Sequence, residues 1–313
     1  ENPSNNNTGD NTSWIFVANE GSFGASDGSI SMIDTFGNIL ETEFIGDVVQ
    51  SLIVYQNKLI VLINNDHLIK IYDITSEGLR FPGIEISTNN SSPREMLVLN
   101  NMLYFTNWNT SDVKVFNLYT YNIDASITVG SKPEGIITDG NYIWVANSGE
   151  SSISKINVET YLVENIEIGQ GPQNMLIHND EIYISRTYYN DDWSNTFHGS
   201  SKIGSNILNV EYNTGNACGG NLLYYDNNIY RTINGGLAIL DLELNLGETI
   251  IGHYQQSHIY HVELINDNFW FAITDYNDLN QLRVLDSDGN EIAIYNVGQN
   301  PGDLAFWSYY DQL

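Results

Sequence analysis

Apolar and polar positions along this chain come in short bursts separated by turn residues. From Gly130 to Ile168 the chain reads GSKPEGIITDGNYIWVANSGESSISKINVETYLVENIEI. Four runs stand out in it: EGIITD, YIWVAN, SISKIN and LVENIEI. Each is rich in Ile, Val, Tyr or Trp and is bounded by Gly, Asn, Asp or Ser. None is long enough for a helix, and none repeats apolar residues at i, i+3, i+4 and i+7. The pattern predicts four antiparallel strands within roughly 40 residues, the size of one propeller blade.

The same unit recurs from end to end. WIFVAN at Trp14–Asn19 matches YIWVAN, and SISMID at Ser29–Asp34 matches SISKIN. A second unit opens at Gly46 (GDVVQSLIV, KLIVLINN, LIKIYDIT), and a third carries SSPREMLVL, MLYFTNWN and VKVFNLYT. The fifth has GQGPQNMLI and EIYISRTYYN, then a polar excursion over Tyr188–Ser205 before NILNVEYN resumes the pattern. NLLYYD, NIYRTIN and LAILDLE make the sixth, and HIYHVELI, FWFAITD, LRVLDSDGN and EIAIYNV the seventh. Gly46, Gly130, Gly169 and Gly298 fall two, one and three repeats of roughly 40 residues apart.

The first unit lacks an innermost strand, and the chain ends on a spare one, GDLAFW at 302–307. A C-terminal strand completing the N-terminal blade would close the ring and remove both free edges. The expected fold is therefore all-β: a propeller of four-stranded antiparallel blades over 13–313. The count is seven blades, and six or eight follow if one unit is misread. The opening ENPSNNNTGDNTS has no apolar residue before Trp14, so residues 1–12 are expected to be a disordered polar tether.

Composition narrows the partners. The 313 residues carry 39 Asp and Glu against 11 Lys and Arg, a formal charge of −28. Nucleic acid and anionic membrane surfaces need a basic patch, so neither is expected as a partner. The single cysteine, Cys218, excludes an intramolecular disulfide and a multi-cysteine metal site. It reads as a bystander in the turn-like GNACGG. No run is long enough to span a membrane.

In a four-stranded blade, the loop entering the inner strand and the loop joining the second and third strands share one face, around the axial channel. The first set offers Gln50, Arg94, Glu134, Gln173, Asn216, His258 and Asp303. The second offers Asn19, Glu20, Asn65, Asn107, Trp108, Asn147, Arg186, Tyr188 and Tyr276. Amides and aromatics dominate, a lining suited to hydrogen bonding and stacking against a large, polar, partly planar ligand. Turn chemistry alone accounts for part of the Asn content. The excursion at 188–205, with Trp193, Phe197 and His198, reads as a lid or side wall, or as a decorated edge.

Metal and catalytic signals are sparse. His258 and His261 are three apart in HIYHVELI, so on a regular strand they face opposite ways and cannot share an ion. Asp286-Ser287-Asp288-Gly289 is shorter than a calcium loop and reads as a hairpin turn. There is no G-x-S-x-G, P-loop, H-E-x-x-H or cysteine nucleophile. A calcium-dependent lactonase or hydrolase would have to use Glu20, Glu134 and Asp303, whose spacing does not single them out. The expectation is a binding protein with no metal, no required cofactor and no catalysis.

The G-x-x-P openings, the YVAN-like second strands and the S-x-I-D-like third strands resemble the YVTN/YncE-type propellers. ANEGSFGASDGSISMID (18–34), GDVVQSLIV (46–54), the NND at 64–66 and VGQNPGDLAFW (297–307) resemble, more narrowly, surface lipoproteins of Bacteroidota. That resemblance implies an outer-membrane surface protein, held by a lipid anchor outside this sequence, which captures vitamin B12 (cobalamin) and passes it to a TonB-dependent outer-membrane transporter. It leaves open a siderophore or haem complex as the ligand. An anionic iron complex would need a positive pocket, built here from Arg94 and Arg186. A protein-binding scaffold with no axial pocket is the remaining alternative.

Overall fold

The computed structural model describes residues 12–214 and 220–309. The expected tether through residue 11, Asn216 and Cys218 lie outside the described residues. Seven sheets of four antiparallel strands form the ring. Their inner strands are β4 (Val49–Tyr55), β8 (Pro93–Leu99), β12 (Pro133–Thr138), β16 (Pro172–His178), β20 (Leu222–Tyr225), β24 (Ile259–Ile265) and β28 (Pro301–Ser308). The ring closes as the repeat count requires. β28 pairs with β1 (Ser13–Asn19) from Ser13↔Ser308 to Ala18↔Asp303, as the inner strand of blade 1. Blade 2 begins at β4, and the others follow in chain order.

Burial explains the composition of the strands. Second strands such as β13 (Tyr142–Asn147) are buried along almost their whole length, because a neighbouring blade covers each face. Outer strands alternate or stay exposed, as β11 (Asn122–Thr128) and β15 (Val163–Glu167) do. The core is divided among the seams between blades. Leu97, Tyr104 and Val113 of blade 3, for instance, pack on Ile136, Ile143 and Val145 of blade 4. Seven such clusters occur among the described residues. The seam between blades 5 and 6 has the smallest buried set: Tyr183, Leu222, Ile229, Leu240 and Leu244.

Several inner hairpins turn on paired residues with positive φ: Asn100-Asn101, Asn179-Asp180, Asp226-Asn227 and Asn266-Asp267. That is the two-residue turn that matches strand twist, and Asn and Asp tolerate it best. Asp286 is also a turn residue, its carboxylate accepting the N–H groups of Asp288 and Asn290.

One expectation needs correcting. The stretch 188–205 is not an excursion between strands. β17 (Glu181–Tyr189) and β18 (Thr196–Ile203) pair without a break from Ile182↔Ile203 to Tyr189↔Thr196. NILNVEYN is the outer strand β19 (Ile207–Thr214). The polar sequence TFHGSSKI is itself the third strand, and only 190–195 form the tip of a long hairpin.

Candidate functional site

The inner strands carry the site because nearly all of them bulge at one place. The pairing register shifts at Val49/Ser51, Pro93/Met96, Pro133/Ile136, Pro172/Met175 and Ile259/His261, and in blade 1 beside Asp303. A regular strand points successive side chains to opposite faces, whereas a bulge re-aims one of them. Consecutive residues therefore line the same axial cavity: Arg94 with Glu95, Gln173 with Asn174, and Tyr260 with His261. The cavity measures about 350 Å³. A second, of about 600 Å³, opens beside it under the β17–β18 hairpin, walled by Trp108, Lys132, Tyr188, Tyr189 and Trp193. Gln173 lines both.

A belt of hydrogen bonds runs round much of the axial cavity. Tyr260 donates to Glu20 Oε2 at 2.7 Å, and Gln50 Nε2 lies 3.4 Å from Glu20 Oε1. Arg94 donates to Gln50 and makes a salt bridge to Glu134 at 2.6 Å. Trp108 Nε1 donates to the other Glu134 oxygen at 2.7 Å, and the Arg94 guanidinium lies 4.3 Å from the centre of the Trp108 ring. Burial raises Glu20 to about 7, against a lowering by the Tyr260 hydrogen bond and Arg94. Burial and the neighbouring charges of Asp303 and Glu134 push Glu95 well above the usual carboxylate range. Asp303 rises to about 6 through burial, opposed by His261 and the Leu52 N–H.

His261, Glu263 and Asp303 bring three potential metal ligands within 4.8 Å of one another. They are also tied to one another and to Asn221. The Asn221 carboxamide oxygen accepts the Val262 N–H, so its amino group faces His261 Nδ1 at 3.3 Å. With Nδ1 accepting, the ring proton lies on Nε2, directed at Glu263 at 3.2 Å and Asp303 at 3.8 Å. Burial lowers the His261 pKa, but the bond to Glu263 and the charge of Asp303 outweigh it and the net shift is upward.

The residues singled out from sequence divide into three groups. Gln50, Arg94, Glu134 and Gln173 line the axial cavity, while Trp108, Tyr188 and Trp193 wall the side cavity with Gln173. Asn65, His258 and Tyr276 line neither cavity. Asn65 donates to Asp47 at 2.5 Å, His258 sits in a short helical turn (Gln256–His258), and Tyr276 stands edge-on to Tyr260 at 5.9 Å. Asn19, Asn107, Asn147 and Arg186 are buried, which corrects their placement in the loop lining. The asparagines end second strands and hold the next turn, Asn147 by donating to Ser152 and Ser154 at 2.8 and 3.0 Å. Arg186 takes the equivalent place in blade 5, since Pro172↔Arg186 repeats Pro133↔Asn147. It is bound to Glu211 at 2.5 Å. With Arg94 committed to Glu134 as well, the two do not form a shared positive pocket.

Sequence reasoning missed Glu95, Asn174, Asn221, Tyr260 and His261 as lining residues. The signal was present: when the repeats are aligned, each follows or forms the dipeptide before an apolar run (QS, RE, EG, QN, GN, YH, GD).

No family model and no curated protein matches the chain. Solved structures match it through the fold. Virginiamycin B lyase from Staphylococcus aureus is 18% identical with a TM-score of 0.65, over 85% of this chain and 93% of that one. A 6-phosphogluconolactonase-like protein from Bacteroides fragilis is 14% identical with a TM-score of 0.68, over 98% of this chain and all of the other. A functionally unknown protein from Desulfotomaculum acetoxidans gives 11% and 0.68, over 94% and 98%. At such identities the likeness shows the propeller fold alone, and that fold hosts enzymes as well as binding proteins.

Proposed function

We propose that this protein is a capture propeller that takes a corrinoid, vitamin B12, into the two adjoining cavities. In this reading it is displayed on the outer-membrane surface by a lipid anchor and hands its ligand to a TonB-dependent transporter. The observation that carries the proposal is the junction at Gln173 between a hydrogen-bonding axial cavity and a larger side cavity with aromatic walls. A corrinoid presents a broad, flat macrocycle fringed with carboxamides. Gln50, Gln173, Asn174 and Asn221 are partners for such amides, and Trp108, Tyr188 and Trp193 are surfaces for apolar faces. The belt from Tyr260 to Trp108 is already assembled, so little ordering would be needed on binding.

Isothermal titration with cyanocobalamin, beside a ferric siderophore, tests the proposal. One-to-one binding of cobalamin is expected, weakened at least tenfold by Trp108→Ala or Tyr188→Ala, roughly the cost of one lost aromatic contact. No heat with cobalamin at tens of micromolar sinks the vitamin reading, and the siderophore trace then decides whether an iron complex is the ligand.

A second reading rests on Glu20. A carboxyl raised to about 7 in a cavity beside His261 has the properties of a general acid or base. It would suit ring opening of a cyclic ester, the kind of substrate that the name of the lactonase-like neighbour indicates for that protein. Incubation with a streptogramin B and with a sugar lactone, followed by mass spectrometry, should show ring-opened product that Glu20→Gln abolishes. Unchanged substrate would exclude it.

A further inference from the structure

Arg231 is out of keeping with its position. Its counterparts across the inner hairpins, opposite Leu304, Leu52, Met96, Ile136, Met175 and Val262, are Val17, Val61, Phe105, Val145, Ile184 and Phe271. All six are fully buried and apolar. Blade 6 alone puts a guanidinium in this column, opposite Leu222, and it too is fully buried. No carboxylate pairs with it among the described residues. Nη2 donates to the Arg186 carbonyl at 3.3 Å, while Nε and Nη1 have no hydrogen-bond partner. Burial, together with Arg186 and against the pull of Tyr212, lowers its pKa to about 10, so it remains charged at neutral pH. The Tyr212 ring lies 5.6 Å from the guanidinium, but a buried cation with no anion beside it is strongly unfavourable and calls for a counter-ion.

The residue over Arg231 has no side chain. Gly220 lines the axial cavity, and a Cβ built on it would stand 3.1 Å from Arg231 Nη1 and 3.2 Å from Ser185 Oγ. The cavity wall is thus thinned to a backbone-deep notch at this glycine, with the guanidinium, itself closed to solvent, directly behind it. Its carboxylates, Glu20, Glu95 and Glu134, come from blades 1, 3 and 4. Blades 5 and 6 present only Gln173, Asn174, Met175, Gly220 and Asn221.

We infer that the notch at Gly220 is an anion subsite, taking one phosphate or carboxylate group with Arg231 as its counter-charge and the Asn174 and Asn221 amides beside it. The inference rests on the capture reading for the source of that group: a corrinoid with its nucleotide arm carries one phosphodiester. A free inorganic anion would satisfy the same chemistry.

The test begins with inorganic phosphate on the unliganded protein, against chloride at equal ionic strength. The expected result is a rise in melting temperature on the order of 5 °C at saturation. Phosphate also stabilises proteins by exclusion from their surfaces, so two variants set the baseline. Gly220→Ala fills the notch, and Arg231→Met restores the apolar column without leaving a hole. Both should fold and lose the phosphate-specific shift. Cobalamin is then compared with cobinamide, which lacks the phosphodiester. Wild type should favour cobalamin at least tenfold, and Gly220→Ala should erase the preference. Bound cobalamin should also abolish the phosphate shift if the ligand supplies the anion, whereas a persisting shift marks a free inorganic ion. A phosphate response of equal size in all three proteins overturns the subsite, as does no response together with equal affinity for the two corrinoids. A phosphate response lost in Gly220→Ala, with no corrinoid bound, would keep the subsite and remove the vitamin reading.

Discussion

Glu20 stands where a carboxyl loses most of its water and is compensated by two neutral donors and a more distant arginine. The unfolded chain ionises this group near 4.5, the folded chain near 7. Between those values the unfolded state gives up a proton that the folded state keeps, so stability falls as pH rises through the window. The contribution is fully present below pH 4.5 and lost above 7. Glu20→Gln keeps the amide-sized shape and removes the ionisation. Thermal melts should coincide for variant and wild type at pH 4, and at pH 8 the variant should be more stable by roughly 3 kcal/mol. A constant difference across pH would mean that Glu20 is not held neutral. At this scale sequence was an uneven guide. Gln50, Arg94, Glu134 and Gln173 were legible because each precedes an apolar run at a repeat opening. Asn147 and its equivalents were misplaced, because an asparagine ending a strand looks the same whether it faces a ligand or holds a turn. Arg231 was overlooked, since NIYRTIN reads as a strand whichever way its arginine points.

The bulged inner strand and the long β17–β18 hairpin are the elements that make a site out of a blade. Strand content was readable from composition and turn residues, but a bulge is a backbone event that a two-residue period does not register. That is why only half of the polar lining of the axial cavity was anticipated. The third strand of blade 5 escaped for another reason. Its Gly199, Ser200 and Ser201 are buried against a guanidinium and neighbouring strands rather than against an apolar seam, so the usual alternation is absent. The hairpin tip packs on itself, with Tyr189 stacked on Trp193 at 5.0 Å and Tyr188 on Phe197 at 5.6 Å. Replacing 190–195 by Asn-Gly should leave the melting temperature within a few degrees, because the tip contributes nothing to a seam. Corrinoid affinity should fall at least tenfold with the loss of Trp193 and part of the side wall. Unchanged affinity would place the ligand in the axial cavity alone.

At the scale of the molecule, repeat spacing and the spare C-terminal strand were enough to specify the ring and where it closes. What they could not convey was that the seven seams differ. A closed hoop resists opening only as well as its weakest joint, and among the described residues that joint lies between blades 5 and 6, where apolar contact is thinnest and two arginines are buried in place of apolar side chains. Native-state hydrogen exchange should find the amides of β16 and β20 opening at lower free energy than those of β8 and β12. Uniform protection around the ring would contradict it. An occupied notch at Gly220 would then act as a rivet: the same event that seats a ligand would fasten the joint, and the unloaded propeller would be the looser of the two.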